Sequence, residues 1–126
     1  MAFRGGQNIA LKVPSNRWEV TVAFYRNTLG LPLLQATEES VVFEYGSQQL
    51  WIDRCPQLET TEVWLEILTD NLEHAAQLLN TESVVRCDDV EPLPPGFRAF
   101  WIRNPAGLVT LIAEEANGLS PPFSHL

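Results

Sequence analysis

The stretch VAFYRNTLGLPLL, residues 22–34, joins a helical pattern to an extended apolar run through a single glycine. From residue 18 into this stretch, large apolar residues recur at the spacing of one helix face: Trp18, Val22, Tyr25 and Leu29. This spacing predicts an amphipathic helix. Asn16 is a residue type that caps helix starts, and Gly30 stands where a helix would end. The sequence therefore predicts a helix that passes directly into a strand.

Short strands are predicted on both sides of this helix. The alternating run NIALKV, residues 8–13, precedes the helix and is bounded by Pro14. Three extended runs follow the helix, at about 32–37, 40–45 and 48–53, separated by short polar breaks. The first half of the chain thus has the order strand, helix, strand, strand, strand.

The same order begins again after a linker at residues 55–61. EVWLEILT predicts a strand, DNLEHAAQLLN a helix, and SVVRCDD, FRAFWIR and LVTLIAE three further strands. The repeat divides the chain into two modules, about 8–54 and 61–115, within one domain of residues 1–126. Residues 116–126 have two prolines and little periodicity, which predicts an extended tail. We therefore predict an α+β fold of two βαβββ modules, whose curved sheets surround a cavity.

Composition and charge narrow the function. Apolar residues make up 45% of the chain and charged residues 19%, which is typical of a soluble globular protein. The chain has neither a run of about 20 apolar residues nor an apolar signal core, so we expect a cytoplasmic protein without a membrane partner. The first 55 residues carry five basic and five acidic side chains, and the remainder three basic and eleven acidic. This acidic half disfavours nucleic acid and favours a cationic ligand.

Two motifs carry a resemblance to a known family. VAFYRNTLGLPLL resembles the FYR..LGL helix and turn of the vicinal oxygen chelate superfamily, and NPAGLVTLI, residues 104–112, resembles its DP.GN.IEL hairpin. The superfamily includes glyoxalases, bleomycin resistance proteins and extradiol dioxygenases. The resemblance extends over about residues 8–115. It implies the glyoxalase/bleomycin resistance-like fold.

The resemblance also implies where a metal would be held. Enzymes of the superfamily present His, Gln or Glu ligands from four strand positions, two in each half. Matched motif by motif, these positions fall on Asn8, Trp51, Val63 or Trp64, and Thr110. Tryptophan and valine do not ligate a divalent cation, and a neutral amide or hydroxyl oxygen binds one weakly without an anionic partner. We therefore expect no metal and no other cofactor.

Other residues predict what the altered cavity would hold. Trp51, Trp64 and a residue of FRAFW either form aromatic walls for a planar ligand or fill a closed core. Glu66 shares a strand face with Trp64, and it either enters the cavity or is solvated at an edge. Arg98 alternates with Phe100 and Ile102, and it either pairs with Glu66 or an anionic ligand group, or is an exposed strand arginine.

These observations favour a metal-free small-molecule binding protein of the bleomycin resistance type. The expected ligand is aromatic or cationic, and its binding residues would be drawn from Asn8, Trp51, Trp64, Glu66, Arg98 and Thr110. The alternatives are a lyase, isomerase or dioxygenase-like enzyme with a non-standard site, and a non-catalytic scaffold or partner subunit with a filled cavity. No catalytic residue is assigned. The resemblance implies a homodimer, since single-cavity chains of the superfamily commonly associate in symmetric pairs, and apolar surface on the outer edges of VVFEY and FRAFW would favour it.

Overall fold

The structure is a computed structural model that describes residues 3–115. In this range the chain forms two compact units: residues 7–63, here called the N-terminal unit, and residues 3–6 with 64–115, here called the C-terminal unit. The tail that the sequence predicts at residues 116–126 lies outside the described residues.

The N-terminal unit is a four-stranded sheet with one helix. After β1 (Phe3–Gly5), which belongs to the other unit, come β2 (Asn8–Val13), α1 (Ser15–Ala23), a π-helical segment (Phe24–Thr28), β3 (Leu33–Ala36), β4 (Ser40–Tyr45) and β5 (Gln48–Arg54). The strand order is β3-β4-β5-β2, in which β2 and β5 are parallel and the other neighbours antiparallel. All four predicted strands are present, within two residues of their expected bounds.

The helix of this unit begins earlier and ends differently from the prediction. Pro14 holds the N-cap position without a side-chain cap, so Asn16 lies inside α1 and the prediction that it caps the helix is wrong. Beyond Ala23 the turns widen to π-helix, and the amide of Leu29 donates to the carbonyl of Phe24 at 2.9 Å. Gly30 then adopts a φ of 68°, which stops the helix as predicted.

Side chains on one face of this sheet form a core with the helix. We call this the helix-side face, and its buried members, with Trp18 of α1, are Val13, Trp18, Val41, Phe43, Leu50 and Ile52. The Trp18 indole N–H donates to the Ile52 carbonyl at 2.9 Å, which fixes the helix against β5. Because strand residues alternate between faces, Asn8, Lys12 and Trp51 lie on the opposite face.

The C-terminal unit repeats the arrangement. It contains β6 (Glu62–Thr69), α2 (Leu72–Thr81), β7 (Val85–Arg86), β8 (Ala99–Arg103) and β9 (Val109–Glu114), in the order β6-β9-β8-β7. Strand β1, which the sequence did not predict, pairs antiparallel with β6. Strand β7 is only two residues long, shorter than SVVRCDD suggested. Strands β6 and β9 are parallel, as β2 and β5 are in the other unit.

The helix-side face of this second sheet packs on α2. Its core consists of Ala75 from the helix and Phe100, Ile102 and Ile112 from β8 and β9. Asn71 caps the helix, since its side-chain oxygen accepts from the His74 amide at 3.0 Å. Both units thus have the βαβββ organisation that the repeat predicted, and the α+β fold class is confirmed. No helix in residues 3–115 is long and apolar enough to cross a membrane.

Candidate functional site

Two of the implied metal positions meet on the opposite face of the N-terminal sheet. Trp51 of β5 lies beside Ala10 of β2, and its indole N–H donates to Asn8 Oδ1 at 2.7 Å. Both side chains are buried, Trp51 to 2% exposure. The Asn8 amide oxygen is therefore already an acceptor for an indole, and the indole itself offers only a donor. This pair forms a hydrogen-bonded contact at two of the positions where the resemblance implied metal ligands.

A buried ion pair lies on the same face of these two strands, four residues beyond Asn8 in β2 and two beyond Trp51 in β5, and sequence reasoning missed it. The Lys12 ammonium contacts Asp53 Oδ2 at 2.8 Å, and both side chains are fully buried. Ser40 of β4, aligned with Asp53 in the ladder, donates its hydroxyl to Oδ1 of the same carboxylate. Burial raises the pKa of Asp53, and the Lys12 charge and the hydrogen bonds from Lys12 and Ser40 oppose that rise.

An aromatic and acidic cluster lies on the opposite face of the C-terminal sheet. Within β6, Trp64 and Glu66 share a face whereas Val63 points to the other, so Trp64 is the residue in register with Glu66. The Trp64 and Trp101 rings meet edge to face with centroids 5.2 Å apart. Leu111 of β9 lies between Glu66 and Trp101 in the ladder, which brings all of them onto one face.

Hydrogen bonding fixes the second indole of this cluster. The Trp101 N–H donates to the Glu91 carbonyl at 3.0 Å, and the Glu91 side chain is buried as well. Glu91 comes from the proline-rich loop that joins β7 to β8, so this loop folds back over the sheet. The sequence did not single out Glu91, and it offered Trp101 only as one residue of FRAFW. Alternation with the core residues Phe100 and Ile102 was the available signal that Trp101 faces the other way.

Gly6 makes the position of Glu66 possible. The amide of Gly6 donates to the Glu66 carbonyl at 2.8 Å, so the two residues are direct neighbours at the end of β1. A methyl group on Gly6 would lie 2.6 Å from Glu66 Cγ and 2.7 Å from Cδ, and closer still to Oε1. The Glu66 side chain therefore lies across the glycine, in space that only glycine leaves. Glu66 is 8% exposed and packs over Gly6, so it is not solvated at an edge.

Thr110 lies on the wrong face for the role that the resemblance implied. It is aligned with Ile102 of β8 and Leu65 of β6, and Ile102 packs on α2. Thr110 is thus on the helix-side face, and its hydroxyl donates to the Leu108 carbonyl at 3.3 Å. Leu111 occupies the face of Trp101 and Glu66. The expected register was one residue out, and the corrected position carries a leucine, which has no donor atom for a metal.

Arg98 is the exposed strand arginine of the two alternatives. Its guanidinium bonds Glu114 at 2.8 Å and also pairs with Glu73 of α2. These hydrogen bonds hold the pKa of both carboxyls below the usual range. Arg98 lies at the end of the helix-side face, opposite to the face of Glu66, so it serves to tie β8 and β9 to α2.

The residues present do not fit the metal that the fold would suggest. Of the four positions, Asn8 and Trp51 hydrogen-bond to each other and Trp64 packs on Trp101. The fourth, after correction of the register from Thr110, is Leu111. Among residues 3–115, no group of three or more His, Cys, Asp or Glu side chains is arranged to hold a metal ion. No chemistry through a metal is therefore derived for this chain.

A surface groove of about 410 Å³ lies elsewhere in the C-terminal unit. It runs between residues 82–85, which follow α2, and the turn at Asn104–Gly107. The Arg103 guanidinium on its wall donates a hydrogen bond to the Gly107 carbonyl at 3.1 Å. Glu82 lines this groove but no aromatic side chain does, so it is a weaker candidate for an aromatic ligand than the Trp64–Glu66 cluster.

Comparison with solved structures gives the fold. The structure resembles hypothetical protein BH1468 from Bacillus halodurans C-125, with a TM-score of 0.66 and 16% identity over 96% of this chain and 100% of that one. A glyoxalase/bleomycin resistance protein/dioxygenase superfamily member from Vibrio splendidus 12B01 gives 0.59 and 13%, over 90% and 100%. Methylmalonyl-CoA epimerase from Mycobacterium tuberculosis gives 0.61 and 12%, over 97% and 92%.

The chain has the fold of the glyoxalase/bleomycin resistance/dioxygenase superfamily, which is the vicinal oxygen chelate fold. No protein-family model matches the sequence, and no curated protein matches it. At identities of 12–16% these likenesses concern the fold alone. The function has to be argued from the side chains described above.

Proposed function

We propose that the chain is a metal-independent small-molecule binding protein of this superfamily, cytoplasmic and homodimeric. We further propose that it recognises an aromatic or cationic ligand, with Trp64 and Glu66 as the principal contacts. The single observation that carries the proposal is that a buried carboxylate shares a strand face with two indoles in mutual contact. We now assign Asn8 and Trp51 a supporting role, because their hydrogen bond to each other uses the groups that a ligand would need.

The chemistry of this cluster favours positive charge. An indole face attracts a cation by about 0.5–2 kcal/mol, more when water is excluded. A carboxylate adds a charge-assisted contact, worth roughly twice a neutral hydrogen bond. The surrounding half of the chain carries eleven acidic and three basic residues, which repels anions at long range. A ligand with an aromatic body and a cationic group satisfies all of these features.

Tryptophan fluorescence tests this proposal directly. We expect benzyltrimethylammonium, an aromatic cation, to change the emission saturably, and phenylacetate, an aromatic anion, to bind much more weakly. Glu66→Gln keeps the shape and removes the charge, so it should weaken binding of the cation by about tenfold or more. Glu19→Gln, an exposed residue of α1, removes the same charge elsewhere and should change the affinity little. Tighter binding of phenylacetate than of the cation would contradict the proposal.

A second candidate function is a non-catalytic partner subunit with a filled interior. Trp51 and Trp101 favour it, because both indoles are almost fully buried and both N–H groups are hydrogen-bonded within the chain. Such a protein would bind neither probe. Failure of every small molecule in the titration, with the fold intact by circular dichroism, would favour this candidate over the binding protein.

A further inference from the structure

The outermost strand of the N-terminal sheet carries an exposed apolar surface. Among residues 3–115, strand β3 pairs only with β4, and all four of its residues are exposed. We call the exposed large apolar side chains on β3 and next to it the β3 surface: Phe24, Leu29, Leu33, Leu34 and Tyr45. Leu34, at 51% exposure, and Leu29, at 52%, are the most exposed of these five. Scattered apolar residues are ordinary on a protein surface, but five on one segment and its neighbour are not.

Backbone hydrogen bonds hold this surface in a defined shape. The Leu29 amide bonds the Phe24 carbonyl at 2.9 Å, and the Leu31 amide bonds the Tyr25 carbonyl at 3.0 Å. The Glu44 amide bonds the Pro32 carbonyl at 2.9 Å, which ties the start of β3 to β4. The ladder between β3 and β4 is irregular at Leu34, and such bulges re-aim side chains. The apolar groups are thus presented outward by an ordered segment.

Strand β3 itself lacks the charges that normally protect a sheet edge, whereas the exposed Arg26 and Glu44 lie beside the other residues of the β3 surface. Residues 27–37 contain no ionisable side chain. Natural edge strands are usually blunted by lysine or other charged residues. At the far edge of the C-terminal sheet, the two-residue β7 does carry Arg86 beside the exposed Val85. The contrast between the two edges indicates that the β3 surface is covered by something in solution.

Charge distribution indicates a second copy of this chain as the cover. The net charge is −8, and it arises entirely after residue 55, so two copies repel each other through their second halves. The β3 surface lies in the half that carries equal numbers of basic and acidic groups. Two copies that meet there bring their neutral regions together. A partner of strong opposite charge would instead be drawn to the acidic half.

We propose that two copies of this chain associate through the β3 surface about a two-fold axis. In such an isologous contact Leu33 and Leu34 of each copy pack near the same residues of the other. The inference rests on the proposed homodimer and specifies its interface; it is independent of the ligand. It differs from the predicted location, because Val41, Val42, Phe43, Phe100 and Trp101 are buried and only Tyr45 among the large apolar side chains of VVFEY and FRAFW is exposed.

Analytical ultracentrifugation of matched variants tests this interface. At tens of micromolar we expect the wild-type chain to sediment as a dimer. Leu34→Lys and Leu29→Lys should each raise the dissociation constant by about tenfold or more, because each would place a charge in the apolar contact. Val85→Lys puts the same charge on the exposed valine at the other edge and should leave the dimer unchanged.

Each other outcome overturns a defined part of the proposal. A wild-type monomer at these concentrations would remove both the homodimer and its interface. A dimer that survives both leucine substitutions, or that Val85→Lys disrupts as strongly, would keep the homodimer and reject the β3 surface. Titration of the Leu34→Lys monomer with benzyltrimethylammonium separates this question from ligand binding. Because Leu34 and Leu29 are half exposed, matched thermal unfolding will show whether the variants remain folded.

Discussion

Lys12→Met is expected to destabilise the protein by about 3–5 kcal/mol, because it leaves the Asp53 carboxylate buried without its counter-charge. The two groups lie 2.8 Å apart with no exposed side-chain surface, so water cannot replace the missing ammonium. Urea unfolding at neutral pH, followed by circular dichroism, measures the change. Arg4→Met removes one partner of the exposed Arg4–Glu115 pair and should cost about 1 kcal/mol or less.

The double variant Lys12→Met/Asp53→Asn should recover most of the lost stability. It removes both charges, and the asparagine oxygen can still accept the Ser40 hydroxyl. Replacing a whole buried ion pair is often neutral, whereas removing one partner is strongly destabilising. A double variant as unstable as Lys12→Met would mean that the methionine itself, rather than the unpaired carboxylate, causes the loss.

The single variant Lys12→Met should also acquire a pH dependence of stability that differs from that of the wild type. Burial already raises the pKa of Asp53 in the folded protein, and Lys12 opposes that rise. A carboxyl with a raised folded-state pKa contributes most stability when protonated, below its unfolded pKa of about 3.9, and loses it as pH rises through the folded value. Lys12→Met removes the opposing charge. Its stability should therefore fall, relative to wild type, as the pH is raised from about 4 to 7.

The elements that sequence predicted correctly are those that local signals define. Strand β2, helix α2 and the stop at Gly30 follow from alternation, helical periodicity and a residue that tolerates positive φ. The turn at Asn104–Gly107 is another such case, since Gly107 has a φ of 89°. These features depend on a few neighbouring residues, so they can be recognised without knowledge of what packs on them.

The candidate site depended on register, which alternation does not define in β9. Residues Val109–Ala113 are all buried, so both faces of the strand are covered and the run is nearly continuous in apolar character. Without alternation, a one-residue slip exchanges the faces unnoticed. Thr110 was assigned by taking VTL as the counterpart of the IEL triplet, whereas NPAGLVTLI matched letter by letter to DP.GN.IEL gives TLI and places the position on Leu111. In β6 the sequence left Val63 and Trp64 open, and the structure places Trp64 on the face of Glu66.

Tertiary burial explains the other features that were missed. Lys12 shares a strand face with Asn8 and was given no role, yet it is fully buried against Asp53. Strand β1 is three exposed residues without a pattern, and only its pairing with β6 makes it a strand. The requirement for glycine at position 6 is also non-local, because the Glu66 side chain that lies over Gly6 is sixty residues away in the sequence.

Gly6→Ala should displace the Glu66 carboxylate and cost about 1–3 kcal/mol of stability, as expected for overpacking. The added methyl would meet Glu66 at its Cγ and Cδ as well as its carboxylate oxygen, so a small rotation of the acid does not relieve the contact. Gly5→Ala is a matched control on the adjacent residue, because a methyl there meets nothing within 4 Å. It should leave stability almost unchanged.

A double-mutant cycle tests whether contact with Glu66 causes the loss of stability in Gly6→Ala. In the Glu66→Ala background the space over Gly6 is empty, so adding Gly6→Ala should cost much less than it does in the wild type. The difference between the two costs is the coupling energy, and we expect roughly 1–2 kcal/mol from urea unfolding of the four proteins. Equal costs in both backgrounds would show that Gly6 is needed for its backbone and not for the acid.

Benzyltrimethylammonium titration extends the cycle to function: Gly6→Ala should weaken binding about as much as Glu66→Gln, whereas Gly5→Ala should bind like the wild type.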